Sequence, residues 1–136
     1  GISHYYLWGE INDFKKISEK ITEFKSKYQK ELFVMETSFP WTTQNFDTYN
    51  NIFPGNKIVD GYTFTKEGQK KYMIDLTQAI IDGGGKGLVY WGAEWVSTPQ
   101  FKDQWGVGSS WENTTLFDFT GEALPAFDYM SYKYKF

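Results

Sequence analysis

Glu31-Leu32-Phe33-Val34-Met35-Glu36 is the stretch on which the fold turns. Residues 32–35 are too apolar to face water on both sides, and Thr37-Ser38-Phe39-Pro40-Trp41-Thr42 ends the run, so it reads as a buried strand over residues 32–36. A carboxylate at the end of such a strand needs a partner or a task. In parallel α/β architectures, side chains at the carboxyl ends of strands line the active site, and a terminal Glu followed by aromatic loop residues points to carbohydrate chemistry. The other reading is a Glu that merely leaves the core at a strand end, and this stretch alone does not choose between them.

Working outward, residues 2–6 read as a short strand. Ile11, Phe14, Ile17, Ile21, Phe24 and Tyr28 then recur at the three- and four-residue spacing of an amphipathic helix, with Lys and Glu filling the opposite face. After residues 32–36 and a long loop rich in Asn, Thr and aromatics, a second helix is expected from near Thr65, with Tyr72, Met73, Leu76 and Ile80 turned inward. Gly83-Gly84-Gly85 ends it, and residues 88–91 form a third strand. Strands alternating with helices imply parallel strands joined by right-handed crossovers, so the fold class is α/β. A complete eight-stranded barrel takes about 250 residues, so three strands in 136 residues would supply only the last part of one. A small open three-stranded sheet is the alternative.

Composition narrows the functions. The 136 residues allow one modest core, and a net charge of -3 argues against a nucleic-acid partner. No apolar stretch reaches the roughly 20 residues of a membrane span. Without cysteine there is neither a disulfide nor a thiolate nucleophile. Aromatic residues make up 21% of the chain, six of them Trp, and several sit among Gly, Pro and polar residues, which suits stacking on the C–H faces of sugars as well as core packing.

A retaining glycosidase holds two carboxyl groups about 5–5.5 Å apart, so Glu36 by itself is half a mechanism. Glu94, just beyond the third strand, is a candidate for the second, with Glu112, Asp47 and Asp118 as weaker ones in loop or tail segments.

The ordered set of residues 33–42, Asp47-Thr48-Tyr49-Asn50-Asn51-Ile52-Phe53, Glu67-Gly68-Gln69, Gly85-Lys86-Gly87-Leu88, Tyr90-Trp91, Ser110-Trp111-Glu112-Asn113 and Leu116-Phe117-Asp118-Phe119 resembles the arabinogalactan endo-β-1,4-galactanases of glycoside hydrolase family 53. That resemblance covers nearly the whole chain. It implies a (β/α)8 TIM barrel with residues 1–136 as the C-terminal part of its single catalytic domain, the N-terminal part lying outside this sequence. It further implies retaining hydrolysis of β-1,4-galactan with Glu36 as nucleophile. The family's acid/base belongs to an Asn-Glu pair on strand four, and no Asn-Glu pair occurs here, so this piece alone is expected to be inactive.

Gly1-Ile2-Ser3-His4-Tyr5-Tyr6 is similar to the family's sixth strand, and period two puts Ser3 and Tyr5 on one face, where Tyr5 is expected to support Glu36 by a hydrogen bond. His4 has the opposite parity and is assigned a structural or substrate-edge role. Trp91 matches the aromatic floor under the sugar being cleaved. Trp41, Trp95 and Trp111 are candidates to extend that platform, and Asp47, Asn51 and Asn113 to bind sugar hydroxyls, with loop capping as the alternative for these three. Where the family commonly reads Tyr-Trp-Glu-Pro-Ala-Trp, this chain reads Tyr90-Trp91-Gly92-Ala93-Glu94-Trp95. The segment 96–110 is short beside relatives whose final loop is elaborated and can hold calcium, so no metal and no cofactor is expected.

The expected partners are galactan polysaccharide or oligosaccharides, acted on by a monomer, and the size of that polymer implies a secreted, periplasmic or cell-surface location. Two other readings stand beside the galactanase: a non-catalytic carbohydrate-binding barrel that keeps the aromatics, and a retaining barrel glycosidase acting on another β-linked glycan.

Overall fold

The computed structural model describes residues 1–136 apart from Glu10, Pro99, Phe101 and Trp105. Three parallel strands, β1 (Ile2–Ser3), β2 (Val34–Thr37) and β3 (Leu88–Tyr90), lie in the order β1-β2-β3. Helix α1 (Phe14–Tyr28) and helix α2 (Lys66–Asp82) supply the crossovers. The strands are shorter than the sequence suggests. Residues 4–6 leave the ladder because the chain turns at Tyr6-Leu7-Trp8, while Leu32 and Phe33 still accept sheet-like bonds from Lys86 and Ile2 through their carbonyls. Two further strands, β4 (Lys102–Asp103) and β5 (Gly106–Val107), form an antiparallel pair within the last loop, and short 3₁₀ turns occupy Glu112–Thr114 and Pro125–Met130.

Both helices carry their own end signals. Asp13 caps α1 by accepting from the Lys15 and Lys16 amides at 2.9 and 3.3 Å, and Lys25 and Lys27 sit in its last turn, where the helix dipole favours cations. Thr65 caps α2 through the Gly68 amide at 3.1 Å, and Gly84, at φ +79°, takes the left-handed turn that directs the chain into β3. The inward faces are as the periodicity requires: Ile17 and Ile21 from α1, and Tyr72, Met73, Leu76 and Ile80 from α2, close over Val34. Tyr28, the last residue of α1, is instead exposed.

The two faces of the sheet differ. One is sealed by the helices; the other leaves Phe33, Met35 and Val89 at 41–47% exposure and carries no covering element among the described residues. The middle strand contains one extra residue. Val34 pairs with Ile2 and Glu36 with Ser3, while Val34 pairs with Leu88 and Thr37 with Tyr90, so β2 advances one residue more than either neighbour. This is a β-bulge, and it reverses the alternation: Val34 and Thr37 are both buried, and Glu36 leaves the helix-covered side that strict period two would have given it.

Beyond the carboxyl ends of the strands, the chain is tied by buried polar side chains. Gln69, fully buried on α2, donates from Nε2 to the carbonyls of Phe39 at 2.9 Å and Thr115 at 3.0 Å, and lies 3.1 Å from the Tyr90 hydroxyl. Asn113 is also fully buried and donates to the carbonyls of Thr42 and Phe53 at 3.0 and 2.8 Å. Asp47 accepts from the amides of Tyr49 and Ser109 at 2.6 and 2.7 Å, and Asn51 donates to the Gln44 carbonyl at 3.0 Å. Glu112, with no exposure, accepts from the Phe46 amide at 2.6 Å through Oε1, while Oε2 has no hydrogen-bond partner among the described residues. Burial, reinforced by the nearby Asp47 carboxylate, raises the Glu112 carboxyl to about 7.

Two expected outcomes follow from these ties. Gln69→Leu keeps the volume but strands the Thr115 carbonyl and leaves the Phe39 carbonyl only the long 3.4 Å bond from the Tyr90 hydroxyl, and it should lower unfolding free energy by about 2–4 kcal/mol in urea denaturation of the complete protein. A Glu112 carboxyl raised from 4.5 to about 7 favours the neutral form in the folded state, so its stabilisation is complete below pH 4.5 and is lost as pH rises through about 7. Glu112→Gln is neutral at every pH, keeps the Phe46 acceptor and can donate towards Asp47. Melting temperatures should therefore favour the variant at pH 8 and converge with wild type near pH 4.5; a difference independent of pH would contradict the assignment.

Candidate active site

Glu36 ends at the carboxyl edge of the middle strand, half-buried, and accepts a long hydrogen bond of 3.4 Å from the Tyr5 hydroxyl to its Oε2. Its own carbonyl accepts from the His4 amide at 2.9 Å, and the Thr37 carbonyl accepts from the Trp91 amide at 2.9 Å. The backbone thus fixes Glu36 against both neighbours. Burial and the adjacent Glu36 carboxylate push the Tyr5 phenol well above its ordinary range, so it remains a protonated donor to that carboxylate. Ser3, the register partner of Glu36, is exposed on the open face of the sheet. His4 turns the other way, its Nε2 at 3.3 Å from the Tyr72 hydroxyl of α2, and burial lowers its imidazole to about 4.

Aromatic side chains form a continuous row here, from exposed Trp91 and Trp8 at its ends to buried Tyr5 and Phe53 within it. Trp91, 36% exposed at the end of β3, meets Trp95 edge-to-face at 5.5 Å, and Trp111 lies 6.4 Å from Trp91 and 6.0 Å from Trp95. Trp111 in turn approaches Phe53 at 5.4 Å and Tyr5 at 6.1 Å. Trp8, not singled out by sequence reasoning, joins at the other end with its ring 5.0 Å from Tyr5. The signal available for it was only a tryptophan two residues after the strand's aromatic pair.

Four sequence candidates are engaged within the loops. Trp41 is buried against Phe119 at 4.6 Å, with Nε1 donating to the Glu112 carbonyl at 3.3 Å, so its indole is engaged in loop packing. Asp47 through its carboxylate, and Asn51 and Asn113 through Nδ2, are held by the loop bonds described above, which is the capping alternative, while the two Asn Oδ1 atoms are buried without a partner among the described residues. Nor do the second-carboxylate candidates join Glu36. Glu112 is occupied in that same loop closure; Asp118 caps a turn through Thr120 and Glu122 and pairs with Lys66 at 2.8 Å; Glu94 is exposed in the turn after β3. Among the described residues no three His, Cys, Asp or Glu side chains come together as metal ligands, and no helix is long and apolar enough to cross a membrane. Three residues of the final loop, Pro99, Phe101 and Trp105, lie outside the described set.

A carboxylate held by a phenol at the carboxyl edge of a parallel sheet, with an indole row beside it, is suited to nucleophilic attack on a bound sugar. Comparison with known proteins gives the family. An arabinogalactan endo-β-1,4-galactanase of Cellvibrio japonicus is 36% identical over 137 residues, which cover 99% of this chain and 36% of that protein. The catalytic domain of an Ignisphaera aggregans family 53 enzyme superposes with a TM-score of 0.84 at 31% identity, over 98% of this chain and 38% of its own. A solved structure from a study of two fungal β-1,4-galactanases matches 98% of this chain and 37% of its own at 24% identity and a TM-score of 0.69, which speaks for the fold alone. These family 53 neighbours are TIM barrels, and the chain spans little more than a third of the length of the relatives it matches. The model of glycosyl hydrolase family 53 matches residues 1–130, and the chain belongs to that family.

Proposed function

We propose that residues 1–136 are the last three βα units of a (β/α)8 catalytic domain that hydrolyses β-1,4-galactan internally and with retention. The observation that carries this reading is the Glu36 carboxylate at the end of β2, bonded to Tyr5 and bordered by Trp91, in a chain of family 53. The uncovered sheet face, with Phe33, Met35 and Val89 exposed, is the side on which the remaining strands would close.

Glu36 acts as the nucleophile. One carboxylate oxygen attacks the anomeric carbon, the C1–O bond to the next sugar breaks, and an acid elsewhere in the barrel protonates the departing oxygen. That acid then serves as base for the water that releases the glycosyl group. Tyr5 holds the carboxylate in line through its hydroxyl, Trp91 lies beneath the sugar being cleaved, and Ser3 and Trp95 border it. Galactan does not pass readily through a membrane, so the enzyme is secreted, periplasmic or at the cell surface.

In the complete domain, Glu36→Gln should retain the fold and binding of galacto-oligosaccharides while kcat falls by at least ~1,000-fold, because an amide does not attack the anomeric carbon. Near wild-type turnover by this variant would remove the nucleophile. Initial rates on β-1,4-galactan should exceed those on β-1,4-glucan, mannan and xylan by roughly 100-fold, since the axial 4-hydroxyl bends a galactan chain where the others run straight. Comparable rates on all four polymers would leave only a barrel glycosidase of another specificity, and binding without hydrolysis of any would indicate a carbohydrate-binding protein.

A further inference from the structure

The outer face of α2 carries a groove that takes no part in the site at Glu36. Tyr72, Met73, Leu76 and Ile80 turn the other face of this helix onto the sheet, so the groove looks away from the strands and from the side on which the rest of a barrel would close. Three depressions make it up, of about 270, 310 and 410 Å³. The first begins at Glu67 and shares Ile74, Asp75 and Tyr132 with the second. The second shares Asp75, Gln78 and Asp82 with the third, which opens between α1 and α2 beside Tyr62. From Glu67 to Asp82 the helix advances about 22 Å, so the groove has the length of a chain segment and not of one small molecule.

The aromatic wall of this groove comes from the tail that follows the last 3₁₀ turn. Gln78 clasps that tail with both ends of its amide: Nε2 donates to the Lys135 carbonyl at 2.9 Å, and Oε1 accepts from the Lys135 amide at 3.0 Å. The Tyr134 hydroxyl donates to the Tyr129 carbonyl at 2.6 Å, and the Tyr132 ring stands 5.1 Å from the Tyr134 ring at 61°. Tyr132 is thereby held between the first two depressions while 50% of it stays exposed. A ring that is both fixed and open suits the C–H faces of a sugar, because little entropy is lost when the sugar settles on it. Tyr132 also lies outside the residues 1–130 that the family model matches.

Charge selects the ligand. Lys70 is paired with Asp128 at 2.6 Å and Lys71 with Asp75, so the groove offers no run of unpaired cations to a polyanion. Asp75 accepts from Lys71 and from the Tyr62 hydroxyl on one oxygen, Oδ2, and its Oδ1 has no partner among the described residues. A carboxylate oxygen beside a tyrosine face accepts from hydroxyl groups, and the ligand that meets both is a neutral, polyhydroxylated chain.

We propose that this groove is a second binding site for β-1,4-galactan, separate from the site of cleavage, with Tyr132 stacking on a sugar and Asp75 accepting from its hydroxyls. This rests on the reading of the complete domain as a galactan hydrolase. A polymer held on α2 keeps its other segments close to Glu36, which raises their effective concentration there without a new contact at the carboxylate.

The test uses the complete catalytic domain and two substrates: polymeric β-1,4-galactan, which is long enough to occupy both places at once, and β-1,4-galactotetraose, which occupies one at a time. Tyr132→Ala should raise KM on the polymer about fivefold with kcat unchanged, and leave both constants on galactotetraose as in wild type. Tyr132→Phe should restore KM on the polymer, whereas Tyr132→Leu, which keeps bulk without a ring face, should not. Equal losses on the two substrates overturn the proposal and make Tyr132 a packing residue. A wild-type domain that cleaves neither substrate defeats the functional reading and this inference with it, whereas cleavage of both with a polymer KM indifferent to Tyr132 defeats the inference alone.

Discussion

The buried amide of Gln69 is the interaction on which the loops beyond the carboxyl ends of the strands depend. The chain leaves β2 at Phe39 and passes again through Thr114 and Thr115, and both passages bring carbonyl groups into a region where no sheet or helix can pair them. An unpaired buried carbonyl costs about 1–3 kcal/mol, so these passages are tolerable only with a donor supplied from elsewhere. Gln69 supplies it from the second turn of α2, and the Tyr90 hydroxyl joins the same group of oxygens. The preceding Gly68 makes this reach feasible: a Cβ there would fall 1.9 Å from the Thr63 carbonyl, so α2 sits closer to the incoming loop than any other residue allows. Through this one amide the helix, the end of β2 and the last loop become a single unit, and with them the separation of Glu36 from Trp91.

The bulge in β2 converts that scaffold into a site. Strand side chains alternate, and Val34 has to face the helices to fill the core. Without the extra residue the carboxylate two positions later would share that apolar face, where an ionised group is costly. The bulge instead lets Val34 and Thr37 both remain buried while Glu36 turns towards Tyr5. Core packing and chemistry are thus reconciled by a one-residue change in register.

Aromatic side chains serve the two sides of this boundary differently. Phe39 and Tyr72 stack at 4.0 Å in the sealed layer, with Tyr6 and Phe53 fully buried beside them, and they set the distance between helix and loop. Beyond them, Trp8, Tyr5, Trp111, Trp91 and Trp95 form a row whose members meet at steep angles, so the rings brace one another edge to face and leave indole surface outward. Rigid rings with few rotatable bonds lose little entropy on binding a ligand, which is the advantage of building such a row from tryptophan.

The sequence by itself determined the order of strands and helices, because apolar periods of two and of three to four residues report which face each segment buries, and the capping and glycine signals report where each ends. It also marked Glu36, since a charge terminating an apolar strand is conspicuous. Only the tertiary structure decided how Glu36 escapes the core, because a bulge appears in the pairing of three strands and not in any one of them. It decided, too, that Trp41, Asp47, Asn51 and Asn113 are engaged within the loops while Trp8 is open. Residue type states what a side chain can bond, but whether it is free to do so depends on which distant backbone groups fold back against it. Asp47 meets the amide of Ser109, and Asn113 the carbonyls of Thr42 and Phe53, partners so distant in the chain that local spacing carries no trace of them.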